Sequence, residues 1–208
     1  MEKYRDQFAK LAFNQNPDAL MVACCDSRVV PNVFASSDPG DLFVLRNIGN
    51  LIPTYQDKHL EDTSVAATIE FSLVNLAISD IIICGHSECG AMQALLANQA
   101  LYNSSSTSSL NTWLKKAMPS YTRFQNTVFN NEDNLTACDL LSRINVLQQI
   151  DNLKKYPLIA EKLKNNNLRI HGWWFNLATA DVYYYNYGIE KFILINEEEA
   201  HNILASLV

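Results

Sequence analysis

The stretches Met21-Val22-Ala23-Cys24-Cys25-Asp26-Ser27-Arg28 and Ile81-Ile82-Ile83-Cys84-Gly85-His86-Ser87-Glu88-Cys89-Gly90-Ala91 decide how this chain folds. Each opens as a short apolar run and closes on residues that bind metals. A short apolar run bounded by small or polar residues reads as a strand buried on both faces, the mark of a parallel sheet. In open α/β sheets, ligands sit beyond the carboxyl ends of the strands. Both runs deliver Cys or His at that end. The pattern therefore predicts one site, with Cys24 from the first strand and His86 and Cys89 after the second. Thiolate and imidazole donors together select zinc among the common metals.

His86-x-x-Cys89 is a short chelating pair. Gly85 and Gly90 flank it, and glycine permits the tight backbone such a turn needs. Three Cys/His ligands rather than four is the count of a site with an open position, to be taken by water or by Asp26. Asp26 and Arg28 stand two apart and can pair. Alone, such a pair is an ordinary surface ion pair; next to two metal-binding stretches, Arg28 would hold Asp26 ionised and away from the metal. Other readings fail on spacing. A phosphatase loop needs Cys-x5-Arg, there is no Cys-x-x-Cys pair, and the glycines make no phosphate-binding loop. Cys25 reads as a packed small residue, Cys84 and Cys138 as core. His59, His171 and His201 lack ligand spacing. Trp173-Trp174 and Tyr183-Tyr184-Tyr185 read as packing or interface.

At 208 residues, 48% hydrophobic and 18% charged, the chain suits a single domain with a full core. Its net charge of −6 argues against a nucleic-acid surface. The Met1–Asp6 start has no apolar core, and no 18-residue apolar run occurs, so neither signal peptide nor membrane span is expected. Five cysteines, an odd number, do not suggest a disulfide framework. Reduced thiols and a cytoplasmic location are the simpler expectation.

Helical spacing predicts an N-terminal helical arm within residues 1–14, a crossover helix over Thr63–Leu76, a helix over Cys89–Gln99 and a long one over Leu135–Leu153. Leu110–Met118 reads as a short helix ending before Pro119, and Pro157–Leu163 as one that starts with proline. Val29–Ser37 and Leu51–Asp62 read as loops, and the Ser/Thr-rich Leu101–Ser109 as a surface loop. Strands are expected at Ala19–Cys24, Leu42–Leu45, Asp80–Cys84, Leu168–Phe175, Asp181–Asn186 and Phe192–Ile195. Helices alternating with apolar strands, then a late hairpin, give a single-domain α/β fold with a central, mainly parallel sheet flanked by helices.

Taken together, these residues resemble the β-class carbonic anhydrases. Cys24-Cys25-Asp26-Ser27-Arg28-Val29 matches the family's C-x-D-S-R-V, and His86-Ser87-Glu88-Cys89-Gly90-Ala91 its H-x-x-C-G-[GA]. The likeness continues through Pro39–Ile48, Val146–Pro157 and Leu168–Trp173, and spans Gln15 to Ile195. It implies one zinc ion held by Cys24, His86 and Cys89, and reversible hydration of carbon dioxide to bicarbonate by zinc-activated hydroxide. It implies that the Asp26–Arg28 dyad gates and orients that nucleophile, and it places Gln15, Phe43, Ile48 and Phe71 around the carbon dioxide pocket. Phe71 departs from the tyrosine usual there. A homodimer or dimer of dimers with pockets at the subunit interface is implied as well. The regulatory bicarbonate pocket of some relatives uses Trp, Arg and Tyr; Arg46 matches, but Met21 and Phe71 stand at the other two places, which points to an open site, and Gln15 stands at the glutamine position of the plant-like members. Two thiolates offset the charge of zinc, so activity should climb from neutral into alkaline pH. The rival readings are hydrolysis of carbonyl sulfide or carbon disulfide at the same centre, and a non-catalytic zinc sensor. The intact dyad counts against the sensor.

Overall fold

Six buried residues in a row, Ala19–Cys24, form β1, and six more, Ile81–His86, fill β3 (Asp80–His86) after its first residue. Neither strand has a solvent face, as their unbroken apolar sequences require. Leu20, Val22, Ile81 and Ile83 point to one layer and pack against Ile69, Leu73, Val146, Ile150 and Leu153. Met21, Ala23, Ile82 and Cys84 point to the other and meet Val29 and Phe175. Burial of each large aliphatic contributes roughly 1.5–3 kcal/mol, enough to fix both strands centrally.

A computed structural model describes residues 2–55, 63–97, 108–127 and 135–206. Its sheet has the order β2-β1-β3-β4-β5-β6, with β2 at Leu42–Asn47, β4 at Arg169–Phe175, β5 at Val182–Asn186 and β6 at Lys191–Leu194. β1 pairs parallel with β2 and β3, and β3 with β4, while β5 and β6 add on antiparallel. The mainly parallel sheet with a late hairpin is what the strand pattern predicts. From β1 the chain steps one way to β2 and then returns past β1 to β3. The crevice at the carboxyl ends of β1 and β3 is thus the topological switch point where ligands bind in such sheets.

The helices are α1 (Glu2–Leu11), α2 (Pro31–Phe34), α3 (Ser64–Val74), α4 (Gly90–Ala97), α5 (Ser109–Leu114), α6 (Met118–Gln125), α7 (Ala137–Leu153), α8 (Pro157–Lys164) and α9 (Glu197–Ser206). α1 rests on the turn before β2, where Gln7 Nε2 donates to the Pro39 carbonyl at 3.5 Å. α7 is capped by Thr136, whose hydroxyl accepts from the Asp139 N–H. On the outer hairpin, Arg143 of α7 lies 4.4 Å from the Trp174 ring and 5.1 Å from that of Tyr183. None of the described helices is long and apolar enough to cross a membrane.

Two prolines correct the expected elements. Pro119 does not end a helix: a 3-10 turn over Lys115–Ala117 follows α5, and Pro119 sits in the first turn of α6. Pro31 likewise opens α2 inside the expected loop. In a first turn the missing N–H costs nothing, since it would be unpaired anyway. α9, with Glu197, Glu198 and Glu199 in its first turn, had no counterpart among the expected helices. His59 and most of Leu101–Ser109 fall outside the described residues.

α7 docks close on the sheet through two glycines. A Cβ on Gly85 would lie 2.8 Å from Val146 Cγ2 and 3.2 Å from the Ser142 carbonyl oxygen; one on Gly172 would lie 3.1 Å from both Val146 and Ile150. The Ser142 contact is backbone, so no rotamer change relieves it. Gly85→Ala should therefore cost about 1–3 kcal/mol, read as a lower urea midpoint at unchanged slope, whereas an unaltered midpoint would mean that α7 has slack above β3.

Candidate metal centre

Parallel pairing sets Ala23 opposite Cys84, so β1 and β3 end side by side. Cys24 leaves the end of β1, His86 the end of β3, and Cys89 the turn that leads into α4. One ligand atom from each of the three lies within 4.8 Å of the others, and all three residues are buried. Among the described residues this is the one such group of His, Cys, Asp and Glu.

The donor set fits a zinc ion. His86 Nδ1 lies 2.8 Å from the Ser87 carbonyl, which can only accept, so Nδ1 carries the proton. Nε2 then presents a lone pair, and it is buried without a hydrogen-bond partner. A buried unpaired nitrogen is costly unless something binds it. The two thiols act as a pair. Cys24 is lowered well below an ordinary thiol, chiefly by a hydrogen bond with Cys89, with the neighbouring His86 ring and then the backbone N–H groups of Gly49 and Asp26 assisting against burial. Cys89 is raised by that same hydrogen bond and by burial, although the N–H groups of Ala91 and Met92 at the start of α4 favour its thiolate. A second negative sulfur beside the first calls for a cation.

The turn holding His86 and Cys89 is fastened to α7. Ser142 Oγ donates to the His86 carbonyl at 2.8 Å, and Trp174 Nε1 donates to Ser142 Oγ at 3.2 Å. Glu88 has a positive φ of 52°, a strained backbone for a residue with a side chain. Its N–H donates to Asp139 Oδ1 at 2.9 Å, which holds it there.

Arg28 grips Asp26 with both arms, Nε to Oδ1 at 3.0 Å and Nη2 to Oδ2 at 2.8 Å. Hydrogen bonding by the guanidinium holds the Asp26 carboxyl far below the usual carboxylate range. Arg28 Nη2 also reaches the Glu88 carbonyl at 3.3 Å, joining the two motifs. Arg46, on β2, donates to the Cys24 carbonyl at 3.1 Å and the Asp26 carbonyl at 2.7 Å. The motif spacing gave no hint that Arg46 and Asp139 hold the two ligand loops, because both contacts are long-range.

A cavity of about 280 Å³ opens on Cys24 and Asp26 and is walled by Ile48, Ala91, Ala94, Leu110 and Leu114. Of the four expected pocket residues, Ile48 lines it. Phe43 and Phe71 face each other at 5.9 Å between ring centroids and do not line it. Gln15 is exposed. Cys25 corrects an expectation: β1 ends at Cys24, the alternation that would bury its neighbour ends with it, and the Cys25 side chain is exposed. Cys84 and Cys138 are buried, and burial leads in raising both thiols, Cys138 to about 11. His171 Nε2 pairs with Asp80 Oδ1 at 2.9 Å, at the opposite end of β3 from His86.

Comparison with known proteins agrees with this geometry. A carbonic anhydrase family model matches residues 19–182. The carbonic anhydrase of Pseudomonas aeruginosa is 35% identical over 175 residues, 84% of this chain and 76% of that protein. The solved β-carbonic anhydrase CcaA superposes with a TM-score of 0.81 at 34% identity, covering 93% of this chain and 91% of the other. Two tetrameric β-carbonic anhydrases from the filamentous ascomycete Sordaria macrospora are represented at a TM-score of 0.69 and 26% identity, over 88% and 89% of the chains.

Removing the anchor of Glu88 tests the geometry of the turn. Asp139→Ala should cost about 1–3 kcal/mol by leaving the Glu88 N–H unpaired, and Asp139→Asn should recover most of it because an acceptor oxygen remains. Equal chemical denaturation curves for Asp139→Ala and the parent would show that the turn holds itself.

Proposed function

The chain belongs to the β class of the carbonic anhydrase family, and from that premise we propose that it catalyses the reversible hydration of carbon dioxide to bicarbonate and a proton, with Cys24, His86 and Cys89 holding one zinc ion. The observation that carries this reading is the buried, unpartnered His86 Nε2 facing two thiols. Zinc bound there supplies Lewis acidity that activates water for attack on carbon dioxide.

The rest of the chemistry belongs to the chain. Arg28 engages both Asp26 oxygens, which keeps the carboxylate ionised and turned from the three ligands. A carboxylate oxygen has more than one lone pair, so Asp26 still accepts a hydrogen bond from water in the cavity and aims that water's lone pair at the substrate carbon. Ile48, Ala91, Ala94, Leu110 and Leu114 offer carbon dioxide an apolar wall. Charged bicarbonate finds little solvation against that wall, which favours its release.

The open, plant-like form of the site is part of the proposal. Arg46, the one matching residue of a regulatory bicarbonate pocket, directs Nε to the Cys24 carbonyl and Nη2 to the Asp26 carbonyl. Met21 is fully buried in the sheet and Phe71 has no hydroxyl. An anion there would lack partners. Gln15, Phe43 and Phe71 would serve the pocket of a second copy: Phe71 is 42% exposed, and Phe8, Phe13, Val33 and Val74 are exposed as well. A second copy would cover such apolar side chains at its interface.

Stopped-flow hydration assays with metal analysis test the assignment. Cys24→Ser and Cys89→Ser should lose zinc and activity together, while Asp26→Ala and Arg28→Ala should keep zinc and lose about 100-fold or more in rate. Full zinc in both serine variants rejects the ligands; near-parental rates in both dyad variants reduce the dyad to an ordinary ion pair.

Sedimentation should show a dimer or a pair of dimers. A fully active monomer would remove Gln15, Phe43 and Phe71 from the pocket.

A further inference from the structure

One peptide group links a cavity wall to a metal-binding sulfur. The Ile48 carbonyl accepts a hydrogen bond from Trp113 Nε1 at 2.8 Å. The N–H on the other side of the same peptide, that of Gly49, donates to Cys24 Sγ at 3.4 Å. Trp113 is on α5, whose Leu110 and Leu114 wall the cavity.

The approach of Gly49 to sulfur is built in. Gly49 has φ +78°, and a Cβ there would lie 3.0 Å from the Ala91 Cβ. Only glycine brings its N–H this close in that conformation. Its own carbonyl is fixed by Asn145 Nδ2 at 3.0 Å. Asn145 Oδ1 in turn accepts from Ser120 Oγ and from Gln149 Nε2, each at 2.8 Å. These bonds fix the Gly49–Asn50 peptide that follows, while the Ile48–Gly49 peptide is held at both its own ends, by the indole on its oxygen and the sulfur at its N–H, so that the indole hydrogen bond acts along its dipole toward sulfur.

Hydrogen bonds in series polarise one another, by roughly 10–30% per bond. A donor on the Ile48 oxygen makes the Gly49 N–H a better donor to Cys24. That N–H withdraws electron density from the thiolate, and partners outside the ligand set commonly tune a metal in this way. We propose that Trp113 is a positioning residue, which through the Ile48–Gly49 peptide sets the donor strength of the Cys24 thiolate toward the metal. This rests on the reading of Cys24 as a metal ligand. α5 then has two tasks, shaping the substrate wall with its leucines and tuning the metal with its tryptophan.

The test uses the full-length protein with cobalt(II) in place of zinc, because thiolate-to-cobalt charge transfer reports directly on the sulfur electrons. The variants are Trp113→Phe and replacement of Trp113 by 3-benzothienylalanine, which keeps the ring size and exchanges the N–H for sulfur. The parent should show the charge-transfer band, and losing the indole N–H should move it to longer wavelength in the isosteric variant, with far-ultraviolet circular dichroism unchanged. Trp113→Phe should shift it the same way. A band at the parental wavelength in the folded isosteric variant overturns the role of Trp113 and leaves the ligand assignment standing. A parent protein that binds cobalt without any thiolate band overturns the ligand assignment itself, and the inference with it.

Discussion

Everything at the metal centre depends on the parallel register of β1 and β3. Ala23 pairs with Cys84, so β1 stops one residue short of β3 and Cys24 and His86 leave neighbouring strand ends. A slip of one residue would turn both side-chain sets over and exchange Val22 and Ile83 with the residues of the opposite layer. The apolar side chains on both faces make such a slip expensive. The core therefore does more than stabilise: it sets the ligand spacing, and the turn after β3 only adds Cys89 to a geometry already fixed by the sheet.

α7 is the second framework element, and its chemistry is mixed. One stripe is apolar, with Val146, Ile150 and Leu153 on the sheet. Another is a buried polar ladder of Asn145, Gln149 and Asn152. Gln149 Oε1 accepts from the Ile52 N–H at 2.8 Å, Asn152 Nδ2 donates to the Ile52 carbonyl at 2.9 Å, and Tyr156 just beyond the helix donates to the Pro53 carbonyl at 2.9 Å. The segment after β2 has no sheet partner there, so these side chains supply what a neighbouring strand otherwise would. A buried network of this kind rigidifies when satisfied and is costly when broken. It ties the loop beside Cys24 to the helix that also holds the His86 turn.

Much of this was legible in the residues. The isoleucine run, the Cys24 and His86 spacing and the alternation of helix and strand carry local signals, and local signals survive without coordinates. What escaped was long-range. Nothing near Asp139 marks it as the partner of Glu88, and nothing near Trp113 points to Ile48, 65 residues away. Arg46 reads in the sequence as the lone match to an incomplete regulatory pocket, and its contacts with the Cys24 and Asp26 carbonyls are not visible there. Pro31 and Pro119 read as breakers because proline ends helices as readily as it begins them, and only the flanking packing tells which. Cys25 was misplaced because strand alternation was carried one residue past the end of β1. Gln15, Phe43 and Phe71 lie away from their own chain's cavity, a separation that motif spacing cannot display.

The strand order has a consequence for how the molecule comes apart. β2 and β6 are the sheet edges, so hydrogen-bonded pairing frays from them inward. β3 sits two pairings in from β2 and three in from β6. The antiparallel hairpin of β5 and β6 supplies no ligand and can open as a sub-global unit while β1 and β3 stay paired. Amide protons along Ile81–Cys84 are thereby placed among the last to exchange with solvent. The metal-binding residues are thus attached to the part of the chain with the longest memory of the folded state.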